Sequence, residues 1–184
     1  MIYKITNGEL NENCYVLTED NKTCVIFDAG EDFEKINNFL IEKNLEPKAI
    51  LLTHGHYDHC ASCKKFQDMG VKIYIHRLDA DKLYTDNNLA KMFNRPFENL
   101  HADVLIEEGN IVVNNIKLQV LHVPGHSKGS VVYIYGKNIF SGDVVFEHGY
   151  GRYDFYDGSF SEIKSSIKKL LPYLKGDYIF LYGH

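Results

Sequence analysis

Three short runs of β-forming residues open the chain, Ile2–Thr6, Cys14–Thr18 and Thr23–Asp28, with Asp20-Asn21-Lys22 as turn chemistry between the last two. Asp28-Ala29-Gly30 breaks the third run, and Phe33, Ile36, Phe39 and Leu40 then recur at helical spacing within Phe33–Lys43. Ala49–Thr53 is a continuous apolar run, which predicts a strand buried on both faces. A short helix over Cys60–Met69 and a second buried strand over Val71–Ile75 follow. From Leu78 to Asp103 the pattern is irregular and predicts one or two short helices in a surface flap. Val104–Ile106, Ile111–Val113 and Ile116–Val123 read as strands, with Asn114-Asn115 as a tight turn. Val131–Tyr135 and Asn138–Ser141 form a hairpin around Gly136-Lys137. Phe160, Ile163, Ile167, Leu170 and Leu171 make the clearest helical stripe, behind Ser159 and Glu162 at capping-box spacing. Tyr178–Tyr182 is a last strand before Gly183-His184.

This order of strands, helix, strand, helix, strand, then a similar series again, predicts an α/β (α+β) fold: two sheets, each covered by helices on its outer face. There is no linker or repeat, so one domain is expected over residues 1–184. Composition changes this picture little, at 45% hydrophobic and 24% charged residues. A net charge of −5 gives no basic track for nucleic acid. No apolar run approaches membrane-spanning length and no signal peptide opens the chain, so neither nucleic acid nor membrane is an expected partner. Four cysteines are too few for a disulfide scaffold, and a cytoplasmic protein with free thiols is expected.

The candidate chemistry lies in "LLTHGHYDHCAS", where His54, His56, Asp58 and His59 follow a buried strand within six positions. Imidazoles gathered this closely repel if protonated and waste hydrogen-bonding capacity if buried, so a metal ion between them is the economical reading. His54 and His56 flank Gly55, which permits a sharp bend, and both rings can turn toward one ion. Asp58 and His59, where the chain changes direction, are better placed for a second. Further ligands stand at strand ends: His126 in "VPGHSKGS", Asp143 in "FSGDVVF" and the terminal His184. His76, His101, His122 and His148 lack that context and receive no ligand role. His122 falls inside a strand and reads as packing or as a support behind the ligands, and His76 ends a strand where it can simply face solvent.

The series His54-x-His56-x-Asp58-His59, His126, Asp143 and His184 resembles the full ligand set of the metallo-β-lactamase superfamily, and Asp28 in "IFDAG" resembles the motif that supports its metal loop. The resemblance covers the whole chain, and these motifs in this order are highly specific. It implies a four-layer αββα sandwich with the site at one edge. It also implies His54, His56 and His126 on one metal, Asp58, His59 and His184 on the other, and Asp143 bridging. Two Zn²⁺ against two carboxylates and a bridging hydroxide leave about one positive charge, which favours an anionic small-molecule substrate.

"GYGRYDFYDG" resembles a segment of the glyoxalase II-like thioesterases and persulfide dioxygenases, with Tyr153 where threonine is usual, and "NENCYVL" resembles the same branch. The implied activity is thioester hydrolysis by a metal-bridged hydroxide, with Asp58 and Asp143 as the catalytic candidates. Arg152 either pairs with Asp154 or holds a substrate carboxylate. Met92, Phe93 and Phe97 of the flap are candidates for an acyl pocket. The alternative implied by the resemblance is a dioxygenase with one Fe²⁺ on His54, His126 and Asp143. A third reading takes Cys60-x-x-Cys63 as a thiol redox or metal-storage pair, although small apolar packing accounts for those residues more simply. Because the sequence ends at His184, the helical region that grips glutathione in glyoxalase II is expected to be absent. A smaller or different substrate, or a binding surface from the flap, is expected instead. With His184 last, its α-carboxylate is expected beside the second metal.

Overall fold

A computed structural model describes residues 1–184. Strands β1 (Ile2–Asn7), β2 (Glu12–Leu17) and β3 (Thr23–Phe27) are followed by helix α1 (Phe33–Lys43) and β4 (Glu46–Leu51). Short helices α2 (Tyr57–Cys60) and α3 (Cys63–Asp68) lead into β5 (Lys72–His76). Two 3₁₀ turns, Ala80–Tyr84 and Asp86–Asn88, lie in the flap that precedes β6 (Val104–Ile106). The second half contains β7 (Gly109–Val113), β8 (Ile116–His122), β9 (Val131–Tyr135), β10 (Asn138–Gly142), β11 (Val145–Phe146), β12 (Gly149–Tyr150), α4 (Phe160–Leu174) and β13 (Ile179–Tyr182).

The strands make two large sheets, ordered β1-β2-β3-β4-β5-β6 and β13-β10-β9-β8-β7. Strands β1 to β3 pair antiparallel and β3 to β6 parallel, whereas in the second sheet only β10 and β13 are parallel. Side-chain alternation sorts the apolar residues onto the two faces of each sheet. Leu17, Val25, Phe27 and Leu51 point from the first sheet into the interface and meet Val120, Tyr133 and Phe140 of the second. The Phe27 and Phe140 rings stack there, centroids 3.6 Å apart. The opposite face of the first sheet carries Val16, Ile26, Ile50 and Ile73, buried beneath Ile36 and Leu40 of α1 and Phe66 of α3. Leu170 of α4 packs on Leu121, Val132 and Ile139 on the outer face of the second. The result is the expected αββα sandwich, and no helix is long and apolar enough to cross a membrane.

Three local features differ from the sequence reading. The helix expected over Cys60–Met69 is two helices, the first beginning at Tyr57. The reason is Ser62: its amide donates to Ala29 O at 3.1 Å and its hydroxyl to Gly30 O, so the chain leaves the i→i−4 ladder there. Helix α4 continues through Pro172 to Leu174. The carbonyl that Pro172 leaves unpaired belongs to Lys168, which is exposed and open to water. His76 does not face solvent; it is buried and stacks on His122 at a centroid distance of 4.3 Å.

Candidate metal centre

The parallel strand β4 and strands β8, β10 and β13 all end at one edge of the sandwich, and the residues just beyond those ends converge. Two glycines let them approach. Gly142, just before Asp143, has φ +48° and lies against the Thr53 side chain. Gly183, just before His184, leaves room for the Asp143 carboxylate and donates its amide to Gly142 O at 2.9 Å.

His54, His56 and His126 form the first cluster. His126 Nε2 lies 3.0 Å from His56 Nδ1 and 3.2 Å from His54 Nε2. The outward nitrogens of two of these rings face acceptors: His54 Nδ1 faces Thr53 Oγ1 at 3.1 Å and His126 Nδ1 faces Arg152 O at 2.8 Å. Thr53 Oγ1 already donates to Asp28 Oδ2, so it accepts from His54, and both rings turn bare Nε2 lone pairs inward. Lone pairs this close repel unless a cation lies among them. Burial, followed by the neighbouring histidines, holds His54 and His56 well below the usual imidazole range, in the neutral form a metal requires.

Asp58, His59 and His184 form the second cluster, with Asp143 between the two. Asp58 Oδ2 is 3.3 Å from His184 Nε2 and 3.6 Å from His59 Nε2. Asp143 Oδ1 is 3.3 Å from His59 Nε2, while its Oδ2 is 3.5 Å from His184 Nε2 and 3.7 Å from His126 Nε2. Again the outer nitrogens are committed: His59 Nδ1 to Asp28 Oδ2 at 3.0 Å and His184 Nδ1 to Leu10 O at 2.9 Å. Burial opposes charging these two rings, yet the surrounding carboxylates outweigh it. Asp143, Asp58 and Asp28 push His59 well up, and hydrogen bonds to Asp143 and Asp58 push His184 up to about 9. Burial likewise opposes ionising Asp143, but His59 and His184 hold it well below the usual carboxylate range. The second cluster therefore requires positive charge, from protons or from a metal.

The donor set fits divalent cations. Ligands about 2.0–2.1 Å from one tetrahedral ion stand about 3.3 Å apart, close to the separations in the first cluster. His56 Nε2, His59 Nε2 and Asp143 Oδ1 are buried without a hydrogen-bond partner, and the last two face the same gap. Nitrogen and carboxylate donors in such groups of three suit zinc or iron.

The profile of the metallo-β-lactamase superfamily matches residues 7–184. The chain belongs to the metallo-β-lactamase superfamily. The Bacillus subtilis protein named probable metallo-hydrolase YqgX is 36% identical over 184 aligned positions, covering 96% of this chain and 86% of that protein. Hydroxyacylglutathione hydrolase GloC of Haemophilus influenzae is 35% identical over 94% of this chain and 85% of its own. The crystal structure of the BLEG-1 B3 metallo-β-lactamase superposes with a TM-score of 0.94 at 34% identity, covering 100% of this chain and 91% of that one. TTHA1623, crystallised in a di-iron-bound form, gives 0.89 at 31% identity over 99% and 91%. Membership makes the chain one of a superfamily of mostly hydrolytic metalloenzymes.

Above the ligands lies a cavity of about 460 Å³, lined by Phe93 and Arg152 among others. Phe97 packs against the Tyr57–Leu89 cluster without lining it, and Met92 is exposed outside it. The Arg152 guanidinium is taken up by Asp154, with contacts of 2.9 Å from Nε and 2.8 Å from an Nη. Cys60 and Cys63 are fully buried, and burial pushes both thiols well up, the opposite of a redox-active thiol.

The sequence reading missed several residues that hold the ligands. Asn13 donates from its side chain to Tyr182 O at 3.1 Å and from its amide to Gly183 O at 2.7 Å, and the Tyr15 hydroxyl donates to Tyr182 O at 2.8 Å. These bonds fix the strand end that carries His184, which gives the motif "NENCYVL" a physical role. Buried Asp79 accepts from the amides of Gly55 (2.9 Å) and Gly129 (2.7 Å), from Ser127 Oγ (2.7 Å) and from Lys82 Nζ (3.0 Å). It ties the His54–His56 loop to the His126 loop. The only sequence signal was an acidic residue just beyond a buried strand.

Proposed function

We propose that the protein is a dinuclear-zinc thioester hydrolase. The supporting observation is that six candidate ligand side chains form two adjacent clusters with Asp143 between them, and that His56, Asp58, His126, Asp143 and His184 of this group line a single cavity. Its likeness to GloC supports the thioester class. His54, His56 and His126 would hold one zinc, Asp58, His59 and His184 the other, and Asp143 would bridge them. Bound there, the two cations supply Lewis-acid polarisation of a carbonyl and a water that ionises near neutral pH.

The chain's own groups do the rest. Asp58, at the floor of the cavity, accepts a hydrogen bond from the attacking water and orients it. Asp28 holds His59 through Nδ1, and Leu10 O holds His184 the same way, so neither ring can rotate out of register. The apolar rim excludes bulk water and strengthens electrostatic effects at the floor. A thiolate leaving group needs no acid from the protein, since thiols ionise with a pKa of about 8.5. The test is release of free thiol from a panel of thioesters by zinc-loaded protein, repeated with Asp58→Asn. The expected result is turnover that chelation abolishes, and that the substitution lowers at least about a hundredfold. No cleavage of any thioester, with both metal positions filled, would overturn the proposal.

A further inference from the structure

The cavity is polar only at its floor. Apart from the metal-ligand residues and Arg152, every lining side chain is apolar: Leu10, Tyr57, Leu89, Phe93, Phe146 and Phe155. Apart from the metal-ligand residues, Arg152 is the one cationic side chain of the lining, and it is already paired. It is held bidentate by Asp154, and its guanidinium lies 4.4 Å over the Phe155 ring. The Tyr57 ring is buried.

The wall on the His56 side is a built feature. Phe155 stands edge-on to His56 and His126, at centroid distances of 5.3 and 5.9 Å. Tyr57, Leu89 and Ala90 form a buried cluster against which Phe155 packs, and Phe93 sits 5.6 Å from the Tyr57 ring. Leu89 is 6% exposed and holds φ +69°, a left-handed conformation that a leucine adopts only when its surroundings impose it. The backbone is thus held in an unfavourable state while an isobutyl group faces the cavity.

We propose that the substrate group seated against Tyr57, Leu89, Phe93 and Phe155 is an apolar acyl group, alkyl or aryl, and not a hydroxyacyl or charged one. This rests on the thioesterase reading for the word acyl; the apolar wall itself does not. A hydroxyl placed there would lose its water and find no partner, a loss of about 10- to 100-fold in binding. Each methylene buried there raises affinity about fourfold.

Two assays on the zinc-loaded full chain separate the two ideas. In the first, acetate, butyrate, hexanoate and 6-hydroxyhexanoate, whose hydroxyl lies at the end away from the carboxylate, are titrated calorimetrically. Kd is expected to fall about 15-fold from butyrate to hexanoate, two methylenes apart, and to rise at least tenfold on adding the hydroxyl. Phe155→Ala and Leu89→Ala are each expected to flatten the series. A flat series in the parent protein, or preference for the hydroxy acid, would overturn the apolar assignment. In the second, kcat/KM is measured on N-acetylcysteamine thioesters of the same acids and is expected to follow the same order. Rising affinity for the acids with no thioester cleaved would keep the apolar wall and overturn the thioesterase reading. Equal kcat/KM across the thioesters would do the reverse.

Discussion

Asp28 reaches the chemistry only through other residues. It is buried and accepts from the Thr53 amide and hydroxyl, each at 2.8 Å, and from His59 Nδ1 at 3.0 Å. Asn in its place offers one oxygen and a donor to three donors, so at least one buried group goes unpaired. Asp28→Asn is expected to cost about 2–3 kcal/mol in urea unfolding and to weaken the second metal site about 10- to 100-fold, with the first site much less affected. Protons make a related prediction. His59 and His184 are held charged by carboxylates in the metal-free protein, whereas His54 and His56 are held neutral. Filling the second position should release more protons at neutral pH than filling the first. The affinity of the second position should therefore fall as pH drops below about 9, where His184 takes up its proton. Calorimetry in buffers of different ionisation enthalpy reads the proton count, and equal release at both steps would contradict this electrostatic picture.

Glu12 gives a third expectation at this scale. It is 1% exposed, neither carboxylate oxygen has a partner, and burial pushes its carboxyl well above the ordinary value of 4.5. The folded state thus keeps a proton that the unfolded state loses above 4.5, so this group's contribution to stability falls as pH rises through that window. Glu12→Gln, neutral and of the same shape, should be more stable than the parent at pH 7. The gain should vanish toward pH 4.5, as read by paired urea titrations with chelator present. The candidate ligand residues were legible as a cluster in the sequence because histidines packed this densely around an aspartate seldom serve anything but a metal. Glu12, Asn13 and Asp79 were not, because each acts on groups distant along the chain and carries no local pattern.

At the scale of elements, the candidate ligands are delivered by the segments following β4, β8, β10 and β13, and these segments are cross-linked to one another. Lys82 Nζ bridges Asp79 at 3.0 Å and Asp157, both almost fully buried. Lys82→Met should leave two carboxylates buried without their cation and cost about 3–5 kcal/mol. If instead it costs less than about 1 kcal/mol, water reaches these carboxylates and the cross-link is not rigid. Most strands and both long helices were legible from apolar pattern and capping. The break between α2 and α3 was not, because it comes from Ser62 bonding to Ala29 and Gly30, a tertiary contact that local pattern does not encode. The flap from Leu78 to Asp103 was legible only as irregular, and its placement of Phe93 in the cavity and Met92 outside it depends on packing against Tyr57.

For the whole molecule, the sandwich brings residues from positions 54 to 184 to one edge, where they form groups that could hold metal ions. The αββα architecture followed from the order of elements and from the motif resemblance together. Metal identity and substrate did not, since the same ligands suit zinc and iron and a fold does not determine its reaction. The most direct test is metal content per chain, by elemental analysis of protein purified without added metal. A dinuclear-zinc hydrolase requires about two zinc ions per chain, both lost on chelation. About one iron per chain, with the Asp58, His59 and His184 position empty, would contradict it.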